Sequence, residues 1–129
     1  MMTAPTFNKK ERVVSKKLIE SLFEKGDSHS LAAFPLRVVY LQRERPHDEM
    51  PVQILISVPK KRFKHAVDRN RVKRQIRESY RCNKQTLCDI IPEDKQLLIA
   101  FIWLSDRHYT TDEVQKRVVN LLQKIANRS

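Results

Sequence analysis

Val58-Pro-Lys-Lys-Arg-Phe-Lys-His-Ala-Val-Asp-Arg-Asn-Arg-Val-Lys-Arg-Gln-Ile-Arg-Glu-Ser-Tyr-Arg81 is the stretch from which the fold can be read. Pro59 ends the strand before it, because proline cannot donate a ladder hydrogen bond. From Ala66 to about Leu87 the pattern is helical: Val72, Ile76 and Tyr80 recur every four residues and form a narrow stripe for burial. At about 100° per residue, Arg71, Arg74, Arg77 and Arg81 fall on the opposite half, with Lys73 at the boundary. Arg69 starts nearer the buried side, so its stem is expected over apolar surface with its head reaching out.

Alternation carries the reading outward. Upstream, Val52, Ile54, Ile56 and Val58 share one side of a half-buried strand. Phe34, Leu36, Val38 and Tyr40 share one side of another, spanning Phe34 to Leu41. The polar connection from Gln42 to Pro51 predicts a long hairpin between these two strands. Downstream, Gln96 to Leu104 is a near-continuous apolar run, as expected for a strand covered on both faces. Leu18, Ile19, Leu22 and Phe23 predict a helix over Ser15 to Lys25, with Gly26 as its stop. Thr110 and Glu113 have capping-box spacing ahead of Val114, Val118, Leu121, Leu122 and Ile125. Met1 to Lys10 reads as a loosely ordered basic arm. The expectation is a single domain over residues 1–129, an α+β sandwich in the order α-β-β-α-β-α. Its strand–helix–strand unit from Val52 to Leu104 invites parallel pairing, for which the default hand is right.

Charge points to the class of partner. The 129 residues hold 26 Lys and Arg against 15 Asp and Glu, a net charge of +11. The excess is local: residues 60–81 carry ten basic and two acidic side chains, whereas residues 18–59 sum to −2. A merely soluble surface intersperses the signs, and a solvated helix face would interleave Glu for i,i+4 pairing; here Asp68 and Glu78 are the only acids in that stretch. A membrane-surface helix would need a broader and bulkier apolar face. The partner is therefore a polyanion, nucleic acid first. Six of the ten basic residues are arginines, whose planar fork suits phosphate, and Asn70 can add an uncharged hydrogen bond to a sugar or base edge.

Little points to chemistry performed by the chain itself. Metal-dependent nucleases cluster carboxylates, whereas the acids here stand singly or in loop pairs such as Asp48-Glu49 and Glu93-Asp94. His65 and His108 carry no sequence sign of the partner a general base needs. Cys82 and Cys88 are too few for a disulfide framework or a zinc knuckle. No apolar run approaches the ~20 residues of a membrane span, and the start lacks a secretory pattern, so a cytoplasmic location is expected.

Lys60-Lys61, Ala66-Val67, Arg69-Asn70-Arg71, Lys73-Arg74 and Arg77-Glu78, in this order, resemble the signature of the bacterial ribonuclease P protein component. The resemblance spans roughly Phe7 to Ala126. It implies a small α-β sandwich related to a ribosomal-protein domain, with a left-handed crossover against the default. It implies a holoenzyme that removes the 5′ leader of precursor tRNA. In that holoenzyme the RNA subunit and its Mg²⁺ ions are the catalyst, and the protein binds that RNA and the leader, with neither DNA nor membrane as a partner. On this resemblance Lys60, Lys61, Lys64, Arg69, Asn70, Arg71, Lys73, Arg74 and Arg77 bind the RNA subunit, and Ile19, Phe23, Phe34 and Arg37 line a leader cleft between the first helix and the sheet. No catalytic or metal-binding residue is implied in the protein. Two departures stand out. Four residues, Arg62 to His65, separate Lys61 from Ala66 where the family often has three including a glycine. Ile19 and Arg37 also stand where aromatics are common, which predicts less stacking and more phosphate attraction. Phe34 and Arg37 differ in parity along a strand, so either a bulge near Pro35 brings them together, the favoured reading because proline cannot donate a ladder hydrogen bond, or one of them belongs to the core. A ribosomal or RNA-chaperone protein is the competing class.

Overall fold

The computed structural model describes residues 28–47 and 49–128. The expected basic arm and first helix, with Ile19 and Phe23, lie outside them. Four strands and three helices follow: β1 (His29–Ala33), β2 (Leu36–Glu44), β3 (Val52–Ser57), α1 (Ala66–Asn83), α2 (Gln85–Cys88), β4 (Lys95–Trp103) and α3 (Thr111–Arg128). The strands form one sheet in the order β1-β2-β4-β3; β2 runs antiparallel to β1 and β4, and β3 runs parallel to β4.

Strand β4 dictates this order. Its side chains are apolar in both directions, so it is stable only where neighbours and cover exist on every side. Leu97, Ile99, Phe101 and Trp103 join the main core with Val72, Ile76 and Tyr80 of α1 and Val114, Val118, Leu121, Leu122 and Ile125 of α3. Leu98 and Ala100 belong to a second cluster on the other face with Val39, flanked by Leu41, Leu55 and Ile102. The α1 stripe expected from the sequence is fully buried, and Tyr80 meets Phe101 edge-on at 6.3 Å between ring centroids. Each such side chain contributes roughly 1.5–3 kcal/mol by leaving water. The N-cap reading of α3 holds: the Glu113 amide donates to Thr110 Oγ1 at 3.1 Å.

Three expectations need correction. The hairpin between β2 and β3 does not exist, because β4 inserts between them and pairs with both. The strand expected over 34–41 begins only at Leu36 and continues to Glu44 as β2; Phe34-Pro35, with a cis peptide bond, is the tight turn that joins it to an unexpected strand upstream, β1. β1, His-Ser-Leu-Ala-Ala, holds a single large aliphatic side chain, Leu31, and so gives little alternation to read. No bulge near Pro35 joins Phe34 to Arg37: Phe34 lies in the turn, and Arg37 pairs in regular register with Ala32 and Ile102. The described order is thus β-β-β-α-α-β-α, still an α+β sheet with helices packed on it, with the parallel β3–β4 pair as expected.

The connection after β2 is fastened to the start of β4. Gln96, fully buried, accepts from Arg43 Nε at 2.8 Å and donates to Glu49 Oε2 and the Met50 carbonyl, both at 2.9 Å. Arg45 donates to the carbonyls of Lys95 and Pro92. Beside it, Lys95 donates to Glu44 at 2.7 Å, and this hydrogen bond raises its pKa.

Candidate nucleic-acid interface

Helix α1 carries its charge on the face away from Val72, Ile76 and Tyr80. Asn70, Arg71 and Arg74 are exposed, and Lys73 and Arg77 are half-buried. Among the described residues Arg71 and Arg74 have no acidic partner, so both guanidinium groups face outward uncompensated. Val67, 79% exposed, sits on the same face one turn before Arg71. Arg81 differs: Nε and Nη2 both donate to Glu78 Oε2, at 3.1 and 2.9 Å, which raises its pKa and turns it toward its own helix.

The turn before α1 extends this surface. Lys60, Lys61 and Lys64 are exposed. Arg69 does not stand free beside them: its Nη1 donates to the carbonyl oxygens of Phe63 at 2.9 Å and Lys64 at 3.0 Å. Its head therefore reaches back over the turn, and Nη1 is committed within the fold. Arg62 points to Asp106 of the β4–α3 connection at 3.4 Å.

Of the residues expected to line a leader cleft, Phe34 and Arg37 are described, and they do not share one regular face. Phe34 is 60% exposed in the hairpin turn, and its carbonyl accepts from Arg117 Nε of α3 at 2.9 Å. Arg37 lies on the second sheet face, in line with Val39 and Leu41, and its Nε donates to Ser30 Oγ at 3.0 Å. Sequence reasoning missed Arg117, whose partner lies 83 residues earlier in the chain, and missed the partner of His108.

That partner is Asp68, with His108 Nε2 2.9 Å from Asp68 Oδ1. A His–Asp pair can orient a general base, but here the other ring nitrogen, Nδ1, is buried without a hydrogen-bond partner and the ring stacks on Phe63. An enclosed Nδ1 cannot take a proton from a nucleophile in solvent, so the pair is structural. Among the described residues no three of His, Cys, Asp or Glu are grouped to hold a metal ion, and no helix is long and apolar enough to cross a membrane.

A cationic helix and turn set on a four-stranded sheet make a surface of the kind that attracts polyanions. The family model described as Ribonuclease P matches residues 7–126. The ribonuclease P protein component of Porphyromonas gingivalis W83 is 39% identical, covering 98% of this chain and 92% of its own length. The Staphylococcus aureus RNase P protein superposes with a TM-score of 0.67 at 26% identity, covering 90% of this chain and 94% of that one. The Thermotoga maritima RNase P protein shares the fold with a TM-score of 0.65, covering 88% and 96%. The chain belongs to the ribonuclease P protein component family, and its setting is tRNA processing with an RNA subunit as the partner the family implies.

Proposed function

We propose that the chain, read as one RNA-binding domain over 1–129, is the protein subunit of ribonuclease P, acting in the cytoplasm on precursor tRNA. The observation that carries this reading is the outward, unpaired charge of Arg71 and Arg74 beside the Lys60, Lys61 and Lys64 turn, in a chain of this family. Lys60, Lys61, Lys64, Arg71, Lys73, Arg74 and Arg77 neutralise phosphates of the RNA subunit, and Asn70 hydrogen-bonds a sugar or base edge. Arg69 serves the same surface chiefly by shaping the turn. The 5′ leader runs by Arg37 and Phe34, where positive charge and an exposed ring suit a single strand of tolerant sequence; Ile19 and Phe23 are proposed to complete that cleft. Catalysis belongs to the RNA subunit, and Mg²⁺ held by that RNA supplies the cleavage chemistry. The protein's residues contribute binding and orientation.

The test is reconstitution. Rigorously RNA-free protein with Mg²⁺ should leave precursor tRNA intact, and adding the RNA subunit should produce 5′ cleavage. Specific 5′ cleavage by the protein alone would reverse the assignment. Purification from cells should also recover that RNA; recovery of ribosomal RNA alone would favour a ribosomal or chaperone role.

A further inference from the structure

The turn from Arg62 to His65 contains no glycine, and His65, as N-cap of α1, makes no side-chain cap. Its shape is imposed from outside. Phe63, flanked by basic residues, is only 8% exposed and stacks on the His108 ring at 4.5 Å between centroids and 16° between planes. His108 Nε2 meets Asp68 Oδ1 in the first turn of α1 at 2.9 Å. With Asp68 accepting at Nε2, the imidazole tautomer and the ring plane against Phe63 are both fixed. Arg69 holds the Phe63 and Lys64 carbonyls from the helix side, and Asp106 holds Arg62 from the β4–α3 connection.

We infer that His108 is a positioning residue for RNA binding: through Phe63 and Asp68 it holds the Lys60–Lys64 turn in its binding shape before RNA arrives. Its own ring is half-buried and its Nδ1 enclosed, so it acts through the turn and not by touching RNA. Asp68 and Asp106, beside the turn, are engaged by His108 and Arg62, while Lys60, Lys61 and Lys64 remain outward. Ordering long lysines at the moment of binding weakens association, and a preformed turn removes part of that cost. The inference rests on the RNA-subunit reading for its ligand.

The experiment measures affinity for the ribonuclease P RNA subunit across a salt series, on protein shown to be folded by circular dichroism. His108→Ala should weaken binding about tenfold, the scale of two or three side chains ordered late. The log–log salt slope should fall by about 0.7–0.9 for each phosphate no longer neutralised, although every basic residue of the turn is still present. Lys60→Ala and Lys64→Ala should each weaken the wild type but add almost nothing in the His108→Ala background. Asp68→Asn and Asp68→Ala remove the same charge, but only asparagine can accept from His108, so Asn should bind near the wild-type level and Ala like His108→Ala. An unchanged slope, additive lysine losses, or equal behaviour of the two Asp68 variants would overturn the inference. If His108→Ala does not fold, the Asp68 pair carries the test alone. If wild-type protein shows no preference for this RNA over ribosomal RNA, the functional reading fails, and the lysine coupling is still measured on either RNA.

Discussion

Arg117 of α3 donates through Nε to the carbonyl oxygen of Phe34, 2.9 Å away, and so ties the β1–β2 turn to a helix 83 residues later. A charged donor on a backbone carbonyl is worth roughly 1.5–3 kcal/mol in favourable settings, less where water competes as it does here. Arg117→Ala should therefore lower stability by about 1 kcal/mol or less. In the assembled holoenzyme it should weaken binding of a long-leader precursor by roughly two- to fivefold, with a one-nucleotide leader unaffected. Equal losses on both substrates would place the Phe34 turn outside the leader path.

Arg37 is tested with the same two substrates. It stands on the second sheet face and donates to the neutral hydroxyl of Ser30, and among the described residues no acid pairs with it. Arg37→Ala should weaken only the long-leader substrate, and the loss should shrink as salt rises. A loss that ignores salt would point to stacking or packing.

The arginines of α1 should separate into two kinds. Arg71→Ala with Arg74→Ala should leave thermal stability within about 0.5 kcal/mol, as expected for exposed sites, and lower the salt slope by about 0.7–0.9 per phosphate released. Arg69→Ala should cost about 1–3 kcal/mol of stability, because the Phe63 and Lys64 carbonyls are deprived of a charged donor. Thermal melts beside the salt series distinguish them. A stable Arg69→Ala with the slope change of Arg71→Ala would return Arg69 to the set of direct binders.

Gln96→Leu keeps the volume but strands Arg43 Nε and the Met50 carbonyl, and among the described residues leaves the Glu49 carboxylate with Arg43 Nη2 alone, at 3.1 Å. It should cost about 2–4 kcal/mol, read as a lower denaturant midpoint. RNA affinity of the folded fraction should be unchanged, since the clamp lies on the connection after β2 and not on the α1 surface. Weaker RNA binding by that folded fraction would contradict this separation.

Legibility in the sequence followed the range of the interactions. The α1 stripe, the α3 cap and the double-faced β4 were readable because each depends on residues a few positions apart. The neighbours of β4 were not, because apolar strands do not state which partners they choose; the β2–β3 hairpin was the local answer, and a strand about 40 residues further along displaced it. Within the candidate site, the outward placement of Arg71 and Arg74 was legible from their spacing opposite the buried stripe. The inward commitment of Arg69 depends on where two carbonyls of the turn come to lie, and the Asp68–His108 pair joins residues 40 apart. Neither leaves a mark in local spacing.

The placement of β4 between β2 and β3 also sets an order of events during synthesis. β1 and β2 can close as a hairpin once residue 44 has emerged, but among the described residues β3 pairs with β4 alone. Until Trp103 is made, β3 has no strand to join, and the stripe of α1 lacks Phe101 and the α3 residues that bury it. A ribosome-bound chain ending near residue 83 would thus display the cationic helix sequence without the floor that shapes it. Pairings this distant in sequence close late, because loop entropy must be overcome before the interactions that offset it exist. A nascent chain should gain protease resistance and specific RNA affinity together, in one step, after β4 and α3 leave the exit tunnel.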